Sequence, residues 1–365
     1  MLLMTSKAAM LAEVLNRSAK ALAAYAAGEL LAAEPKAAEG FGADPHAGWS
    51  SVLRGRLEEL AAAASFEQPA VFAGQMSWTR AVLLARGIRF DVIRQAFEQL
   101  GRVLAEELPE QVQPLALDYF ERGIQALDQP GDDVTTSLLA NTSDGRLAAA
   151  YLLAVLEGSR SKAGRIVLDA AARGHDVRRL YLDVLLPAQA EVGRMWAAGE
   201  INVAEEHFAS DTTKAVMAQL RQLAPAAPEN GRTFLAAAVM GNFHDVGVHA
   251  VADFFEMAGW RTIQLGANVP IEDLIQAVEF FRADLLGLSV SLSTQLPALR
   301  ETVRALRRSP LGARLKIIIG GRALAENAAL ARQVGADAFA LDPQQAVEIG
   351  TRLVEEDCSR AAESN

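Results

Sequence analysis

A histidine, His244, directly follows an apolar segment, 233–240, that has the length and composition of a buried strand. A helix pattern begins just after it, so the imidazole occupies a loop between a strand and a helix. The loop reads Gly241-Asn242-Phe243-His244-Asp245-Val246-Gly247. A side chain at the carboxyl end of a strand can face a ligand without being part of the core. The residues leave two interpretations of His244, a ligand-facing imidazole or a surface histidine at a helix start.

Small residues mark the ends of two further predicted strands. The third strand ends in Ser289-Val290-Ser291-Leu292-Ser293, and the fourth ends in Gly320-Gly321. Because the carboxyl ends of parallel strands meet at one edge of a sheet, we expect these hydroxyl groups and bare backbone to line one slot beside His244. Each motif alone is weak, since a Gly-Gly pair after a strand is commonly just a turn.

A third pattern lies upstream, where Trp196 is followed after nine residues by Glu206 and His207. One interpretation is a tryptophan in a helical core with a solvated Glu-His pair. The other is an indole and two polar groups that close an otherwise apolar ligand pocket. The three residues alone do not decide between them.

Signatures of common catalytic sites are missing from the sequence. His244 and His249 are five positions apart, whereas two zinc ligands on one helical face are four apart. No phosphate-binding Gly-x-x-x-x-Gly-Lys loop and no Gly-x-Ser-x-Gly motif occurs. We therefore predict no catalytic residues and a protein that is not itself an enzyme.

Composition limits the class of protein. The chain has 365 residues, 51% of them hydrophobic, which is enough for several domains with sizeable cores. A net charge of −10 and the lack of a Lys/Arg-rich tract argue against nucleic-acid binding. No apolar run is long enough for a membrane span. The single cysteine, Cys358, excludes an internal disulfide, so we expect a cytoplasmic protein.

Three compositional regions predict three domains. Residues 1–130 carry helix patterns at about 5–34, 50–64, 77–106 and 109–128, and the Gly/Pro-containing segment 40–48 reads as a loop. Residues 134–223 contain four helix patterns joined by short turns, which predicts a four-helix bundle. The Pro-rich segment 224–231 reads as an exposed hinge.

The last region, 231–356, alternates strand and helix patterns. Helices of ten or more residues fill every gap between the strands, which predicts a doubly wound, Rossmann-like parallel α/β domain. A ligand is expected beyond the carboxyl ends of its strands. The predicted strands are 233–240, 261–266, 284–292, 315–321 and 336–341.

The order and spacing of these motifs resemble the cobalamin-binding α/β family, with 41 residues between Gly247 and Ser289 and 28 between Ser291 and Gly320. The resemblance implies that His244 binds cobalt from below within a loop, 242–247, that contacts the cofactor. It also implies that the nucleotide tail threads a slot beside Ser289, Ser291 and Ser293, where Gly320 and Gly321 leave it room. Two positions depart from the family pattern: Asn242 replaces an aspartate, and Ser291 replaces a leucine.

The pattern Trp-x9-Glu-His resembles the cap of the adenosylcobalamin-dependent photoreceptors. That resemblance implies that Trp196 packs on the adenosyl group, while Glu206 and His207 contact its ribose or adenine. In some members a histidine follows the tryptophan and captures cobalt after photolysis, but here that residue is Ala197. A helical N-terminal domain without a DNA-binding module resembles the photocobilins, which also bind biliverdin. Any such pigment is expected to be noncovalent, because Cys358 lies in a polar tail.

The function predicted from these resemblances is a light sensor that forms homo-oligomers and acts on a downstream partner. Photolysis of the cobalt–carbon bond of adenosylcobalamin would change the domain packing or the oligomeric state. One alternative is a corrinoid methyl-carrier protein of a methyltransferase system, which shares the helical cap and the histidine loop. A second alternative is a plain cobalamin-binding regulator or store.

Overall fold

Among the residues that the structure describes, strands occur only in the C-terminal part of the chain, and the regular structure before them is helical. The computed structural model describes residues 6–129, 136, 138, 141–225, 227–312, 314–325 and 328–363. These residues fall into two compact units. The first contains the helices up to residue 128 together with residues 197–200, and the second contains residues 136–196 and the chain from 201 onward. The predicted division into three domains stays a prediction.

The N-terminal region is helical, as predicted. Its five helices are α1 Lys7–Ala33, α2 Pro45–Ser65, α3 Pro69–Ala85, α4 Phe90–Glu107 and α5 Gln113–Asp128. The Ser6 side chain accepts a hydrogen bond from the Ala9 amide and caps α1. Asp44 caps α2, whose first residue is Pro45, so part of the predicted loop at 40–48 is already helix.

One predicted helix in this region is wrong. The pattern at 77–106 covers two helices, because α3 ends at Ala85 and α4 begins at Phe90. Gly87, with φ of +80°, occupies the left-handed conformation that ends α3. The helical period continues across the break, so periodicity alone did not reveal it.

Five helical segments follow. They are α6 Ser143–Leu156, α7 Arg160–Ala172, α8 Val177–Leu180, α9 Leu186–Ala198 and α10 Val203–Leu223, and one π-helical turn at Tyr181–Leu185 joins α8 to α9. Asn202 and Glu205 form a capping box at the start of α10. None of the described helices combines the length and the apolar character that crossing a membrane requires.

The second unit ends in a five-stranded parallel sheet of order β2-β1-β3-β4-β5. Strands and helices alternate as β1 Thr233–Val239, α11 Val246–Met257, β2 Arg261–Val269, α12 Ile271–Phe281, β3 Leu285–Ser289, α13 Leu296–Arg308, β4 Lys316–Gly320, α14 Arg322–Ala325, α15 Ala328–Val334, β5 Ala338–Ala340 and α16 Pro343–Glu363. The parallel α/β fold is thus confirmed. Its strand order reverses between β1 and β3, where such sheets open a crevice at their carboxyl edge.

Helix α11 joins the sheet to the helical segments. Phe255 stacks on Phe234 of β1, with 3.7 Å between ring centroids. On its other side, Phe254 makes an edge contact with Tyr181 at 5.8 Å. The apolar core of α6–α10 accordingly includes Val246, Ala250, Phe254 and Met257 of α11.

The segment 224–231 differs from a free hinge. Residues 225 and 227–231 are exposed, but the Ala227 amide donates to the Met257 carbonyl at 3.1 Å and the Asn230 amide donates to the Gly259 carbonyl at 2.9 Å. These bonds hold the segment against the end of α11.

Candidate functional site

His244 lies in the loop that follows β1, with its side chain exposed. Its Nδ1 lies 3.3 Å from Oδ1 of Asn242, and its backbone amide donates to the same oxygen at 3.1 Å. With its proton on Nδ1, the ring donates to this oxygen and directs an unprotonated Nε2 away from the loop. A neutral imidazole held in this way is a typical metal ligand.

The hydrogen bonds of Asn242 explain why an amide suits this position. The side chain is fully buried, and its Nδ2 donates to the carbonyl of Ser289 at 3.1 Å while its Oδ1 serves His244. An ionised aspartate would place a second acceptor against that carbonyl. The departure from the family pattern therefore ties the loop after β1 to the end of β3.

Two further polar residues hold the loops at the carboxyl edge of the sheet, and no sequence pattern predicted either of them. Gln295 is buried, donates through Nε2 to the carbonyl of Gly241 at 3.1 Å and accepts from the amides of Ser291 and Leu292 at 3.0 Å each. Asn268, with φ of +54°, accepts from the Gly241 amide at 2.7 Å. Asparagine tolerates this left-handed conformation better than most residues, which was the one available signal.

Asp245 connects the histidine loop to the helical segments. Its carboxylate lies 3.2 Å from Nζ of Lys214 on α10 and 3.4 Å from Nε2 of His249 one turn along α11. The hydrogen bond from His249, followed by that from Lys214, lowers the pKa of Asp245. Nothing in the sequence pairs Lys214 with this loop, because 30 residues separate them.

The other predicted residues of this loop divide by exposure. Phe243 is 72% exposed, whereas Val246 is buried in the core shared with the helical segments. A Cβ built on Gly247 meets no atom within 4 Å, so the space beside this glycine is open.

The predicted serines and glycines lie at the same edge of the sheet as His244. Ser289 ends β3 and Gly320 ends β4, and these two residues pair in the parallel register. Ser291 follows β3, and Ser293 begins a short 3-10 turn, Ser293–Gln295. The Ser293 hydroxyl is buried without a hydrogen-bond partner in the described part of the chain. An unsatisfied buried hydroxyl at a rim suits contact with a polar ligand group.

Backbone packing supplies a second reason for the two glycines. A Cβ on Gly320 would lie 3.0 Å from the Ala340 carbonyl oxygen, and one on Gly321, whose φ is +112°, would lie 2.1 Å from that of Val290. Gly321 therefore requires glycine for the close approach of the Val290 backbone, and Gly320 is tightly packed against β5, in addition to any role in making room for a ligand.

A cavity of about 180 Å³ opens beside the sheet, between its carboxyl edge and the helices α11 and α16. Gly247, Ser289, Gly320 and Gly321 line it. The remaining lining residues are Leu186, Ala236, Val248, Val251, Gly287, Leu288, Ile318, Ile319, Ala340, Leu341, Asp342, Pro343 and Ala346. An apolar slot that starts at the His244 loop and runs below it fits a cofactor with a detached aromatic tail.

Trp196, Glu206 and His207 lie on the helical segments, across the turn between α9 and α10. Trp196 is 46% exposed in the last turn of α9, and His207 is exposed near the start of α10. Glu206 accepts from the Ser210 hydroxyl at 2.7 Å, and its other oxygen lies 3.7 Å from His207. The indole is therefore not a core side chain.

Glu206 is also the outer end of a polar chain that enters the helical core. Ser210 accepts from the Gln189 amide at 2.8 Å, and Gln189 accepts from Thr213 at 3.2 Å. Thr213 in turn lies 2.9 Å from the hydroxyl of Tyr151, whose pKa burial raises to about 12. No spacing pattern in the sequence predicts this network, because its members come from three helices.

Comparison with known families covers both parts of the second unit. Residues 232–348 match the B12 binding domain, and residues 147–221 match a second family model, also described as a B12 binding domain. The chain carries a B12-binding module. Cobalamin binding, expected from His244 and the slot, is thereby confirmed. Residues before 147 lie outside both matched ranges.

Several relatives are corrinoid proteins. The chain is 29% identical over 166 residues to dimethylamine corrinoid protein 3 of Methanosarcina mazei, covering 45% of this chain and 98% of that protein. It is 28% identical to dimethylamine corrinoid protein 1 of Methanosarcina acetivorans, covering 45% and 77%. The solved monomethylamine corrinoid protein of Methanosarcina barkeri is 16% identical, with a TM-score of 0.49, covering 58% of this chain and all of that one.

The prediction of a light sensor is wrong. The relatives are named corrinoid proteins, which agrees with the alternative, a corrinoid protein of a methyltransferase system. The resemblance to photoreceptors relied on Trp196, Glu206 and His207, and those residue types also suit a cap over other forms of the cofactor.

Support is also missing for the adenosyl form of the cofactor and for biliverdin, since the matches concern B12 binding alone. In the N-terminal unit, Trp49 is fully buried and donates to the Ala37 carbonyl at 2.9 Å, so it is a core residue. Cys358 lies outside the residues whose side chains the structure describes.

Proposed function

We propose that this chain is a corrinoid methyl carrier of a methyltransferase system. It would hold cobalamin at the carboxyl edge of the sheet, with 143–223 as the cap and 231–356 as the cofactor domain. One observation carries the proposal. Buried Asn242 contacts the His244 ring in the loop whose Gly247 lines an apolar cavity, and this loop falls within the range that matches the B12 binding domain. Relatives named corrinoid proteins support the same assignment.

His244 would bind the cobalt through Nε2. In the tautomer with its proton on Nδ1, the ring would donate to Oδ1 of Asn242, which would leave Nε2 available to the metal. A neutral amide withdraws the Nδ1 proton less strongly than a carboxylate, so we expect a weaker cobalt–imidazole bond than aspartate would give. A weaker bond to His244 would suit a carrier, whose metal has to accept a methyl group and release it again.

The remaining loop residues and the rim would contact the cofactor. Ser289, Ser291 and Ser293, with Gly320 and Gly321, would line the path of its nucleotide tail. Exposed apolar side chains follow the strands at this edge of the sheet and would lie beneath or beside the corrin ring. They are Met240, Phe243, Leu292 and Leu341, with exposed fractions from 43% to 72%. Burial of this apolar surface would contribute to binding.

Trp196, Glu206 and His207 would close the upper face. Bound cobalamin supplies a cobalt centre that accepts a methyl group and releases it to another acceptor. The chain's own residues bind and orient that centre and limit the access of water to it. A methyl donor and the enzymes that act on it would come from partner methyltransferases, so the chain itself would not be the catalyst. Self-association stays a prediction.

Methyl transfer onto the holoprotein tests the proposal. The full chain is loaded with cobalamin, its cobalt is reduced to cobalt(I), and it is mixed with extract of the native cells and one methyl donor at a time: methanol or mono-, di- or trimethylamine. We expect methylcobalamin, identified by mass spectrometry of the released cofactor, with at least one donor and only when extract is present.

The matched control is His244→Ala, which changes an exposed side chain at a rim loop and leaves the core intact. Its cobalt spectrum should lose the signature of imidazole ligation. Tight cobalamin binding without methyl transfer from any donor would contradict the carrier role. That outcome would favour a cobalamin store or regulator instead.

A further inference from the structure

The cavity below the histidine loop has a chemical character that limits which corrinoids fit it. Among the described residues that line it, only Ser289 and Asp342 carry polar side chains. Asp342 is exposed, and its Oδ1 accepts from the Gln345 amide at the start of α16. A single neutral hydroxyl, that of Ser289, therefore serves the interior of the slot.

The rest of the lining is aliphatic and largely buried. Ile318, Ile319 and Leu288 come from the sheet, and Val248 and Ala346 come from the helices, each at most 3% exposed. The cavity measures about 180 Å³. An apolar protein cavity of roughly 150 Å³ stays dry and accepts a benzene ring. This slot therefore has the size and polarity for an unsubstituted or methylated aromatic ring.

We infer that this slot selects corrinoids whose lower nucleotide base is a benzimidazole and disfavours those with a purine. The inference rests on the proposed binding of the tail in this cavity. A benzimidazole presents carbon–hydrogen or methyl groups along its outer edge. Adenine presents an exocyclic amine and ring nitrogens there, and each loses a hydrogen bond to water on burial.

Val251 and Gly247 give the slot its selectivity through different means. Val251 lines the cavity from α11 and offers two methyl groups where a threonine would offer a hydroxyl. Gly247 leaves open space, because a Cβ there meets no atom within 4 Å. The valine sets the polarity of the slot and the glycine sets its width.

The first test compares three probes in titrations of the full-length apoprotein: cobalamin, its adenine-tailed analogue and cobinamide, which has no nucleotide tail. We expect cobalamin to bind at least tenfold more tightly than each of the other two. Equal or tighter binding of the adenine-tailed analogue overturns the inference. Equal binding of cobinamide also overturns it, because the slot would then not hold the base.

Two variants separate polarity from width. Val251→Thr should reduce the preference for benzimidazole over adenine several-fold, whereas Val216→Thr, a buried change on α10 outside the cavity, should leave that preference unchanged. Gly247→Leu should weaken cobalamin binding at least tenfold and weaken cobinamide binding by a much smaller factor. Gly193→Leu, at another open glycine, should change neither affinity. An unchanged base preference in Val251→Thr contradicts the assigned role of polarity.

The cobalt spectrum distinguishes this inference from the proposed function. Equal affinity for the two bases, with imidazole ligation that depends on His244, would overturn the selectivity alone. Failure of the folded chain to bind any of the three corrinoids would overturn the proposed function and the inference together. Circular dichroism of each variant establishes that the fold is intact.

Discussion

The two helical regions of this chain bury their apolar faces against different partners. Helices α1–α5 close a core made of their own residues, from Leu11 to Leu127. Helices α6–α10 share their core with α11, which contributes Phe254 and Met257. Both regions are rich in Ala and Leu, so composition alone does not separate them. The difference is that the second region completes its core only together with the sheet domain.

Buried polar groups differ between the regions in the same way. In the first, Glu59 pairs with Arg56 at 2.7 Å within α2, and Arg56 also bonds to Thr79 of α3. In the second, the hydroxyl of Tyr181 lies 2.7 Å from Asp253 of α11. Polar contacts thus stabilise the first region internally, whereas they join the second to the α/β domain. The cofactor module is therefore built from two segments that depend on each other.

Removal of a large buried side chain from either core should have the largest effect on the stability of that unit. Phe254→Ala deletes a ring that is 1% exposed between α11 and Tyr181 and should destabilise the second unit by about 3–5 kcal/mol. Chemical denaturation, with calorimetry as a second method, would measure the loss in free energy of unfolding. Phe97→Ala, its match in the first unit, should lower only that unit's stability. Loss of corrinoid binding in folded Phe97→Ala would contradict the independence of the two cores.

A pH dependence of stability is expected in the first unit. Burial raises the pKa of Glu59 from 4.5 to about 7, despite the attraction of Arg56. The folded state therefore favours the protonated acid. The resulting stabilisation is complete below pH 4.5 and is lost as the pH rises through about 7, an effect of about 3 kcal/mol. Denaturation of the full chain from pH 4 to 9 measures it.

Glutamine substitution sharpens that test. Glu59→Gln should flatten the pH dependence of the first unit's unfolding, because glutamine resembles the protonated acid. Glu13→Gln, at an exposed residue of α1 that pairs with Arg17, should leave it unchanged. An identical pH profile in both variants would contradict the assignment to Glu59.

Loss of the buried amide should affect the second unit more modestly. Asn242→Ala removes the bonds to Ser289 and His244 and should cost about 1–3 kcal/mol, because the backbone groups left behind are partly buried. The cobalt spectrum should also report a smaller fraction of imidazole ligation. Asn230→Ala, which removes a hydrogen bond in an exposed loop, serves as the control and should leave the spectrum unchanged.

The smallest effect is expected where α10 contacts the histidine loop. Lys214→Met removes an ion pair with Asp245, and since Lys214 is 31% exposed the loss of stability should stay below about 1 kcal/mol. Hydrogen exchange of residues 241–250 should nevertheless speed up. Lys162→Met, which breaks an exposed pair with Glu157, should not alter exchange in that loop. Equal exchange in both variants would show that α10 does not restrain the loop.

Sequence patterns predicted the sheet far better than the supports of its rim. The five strands were found because apolar runs of strand length alternate with helix patterns, and the strand ends then placed His244, Ser289 and Gly320 at one edge. Gln295 was not found, because a glutamine after a strand has no distinguishing spacing. Its importance depends on burial and on partners from two loops.

The spacing of apolar residues also failed to separate two consecutive helices, α3 and α4, that share the same helical period. The helix expected at 77–106 divides near Gly87, since apolar spacing continues across the break. Function was misjudged for a related reason: Trp196, Glu206 and His207 identify a polar cap, and residue types alone do not say which upper ligand a cap encloses. The relatives are named corrinoid proteins, which contradicts the prediction of a light sensor.

The amide of Gln295 links the two loops on either side of the sheet's crevice, through the carbonyl of Gly241 on one and the amides of Ser291 and Leu292 on the other. A protein that pushes the β3 loop must either break these bonds or drag Gly241 with it. Because Gly241 lies three positions before His244, such a displacement would also move the imidazole that we propose as the cobalt ligand. Mechanical force applied at one loop would thus be transmitted to the side chain on the other.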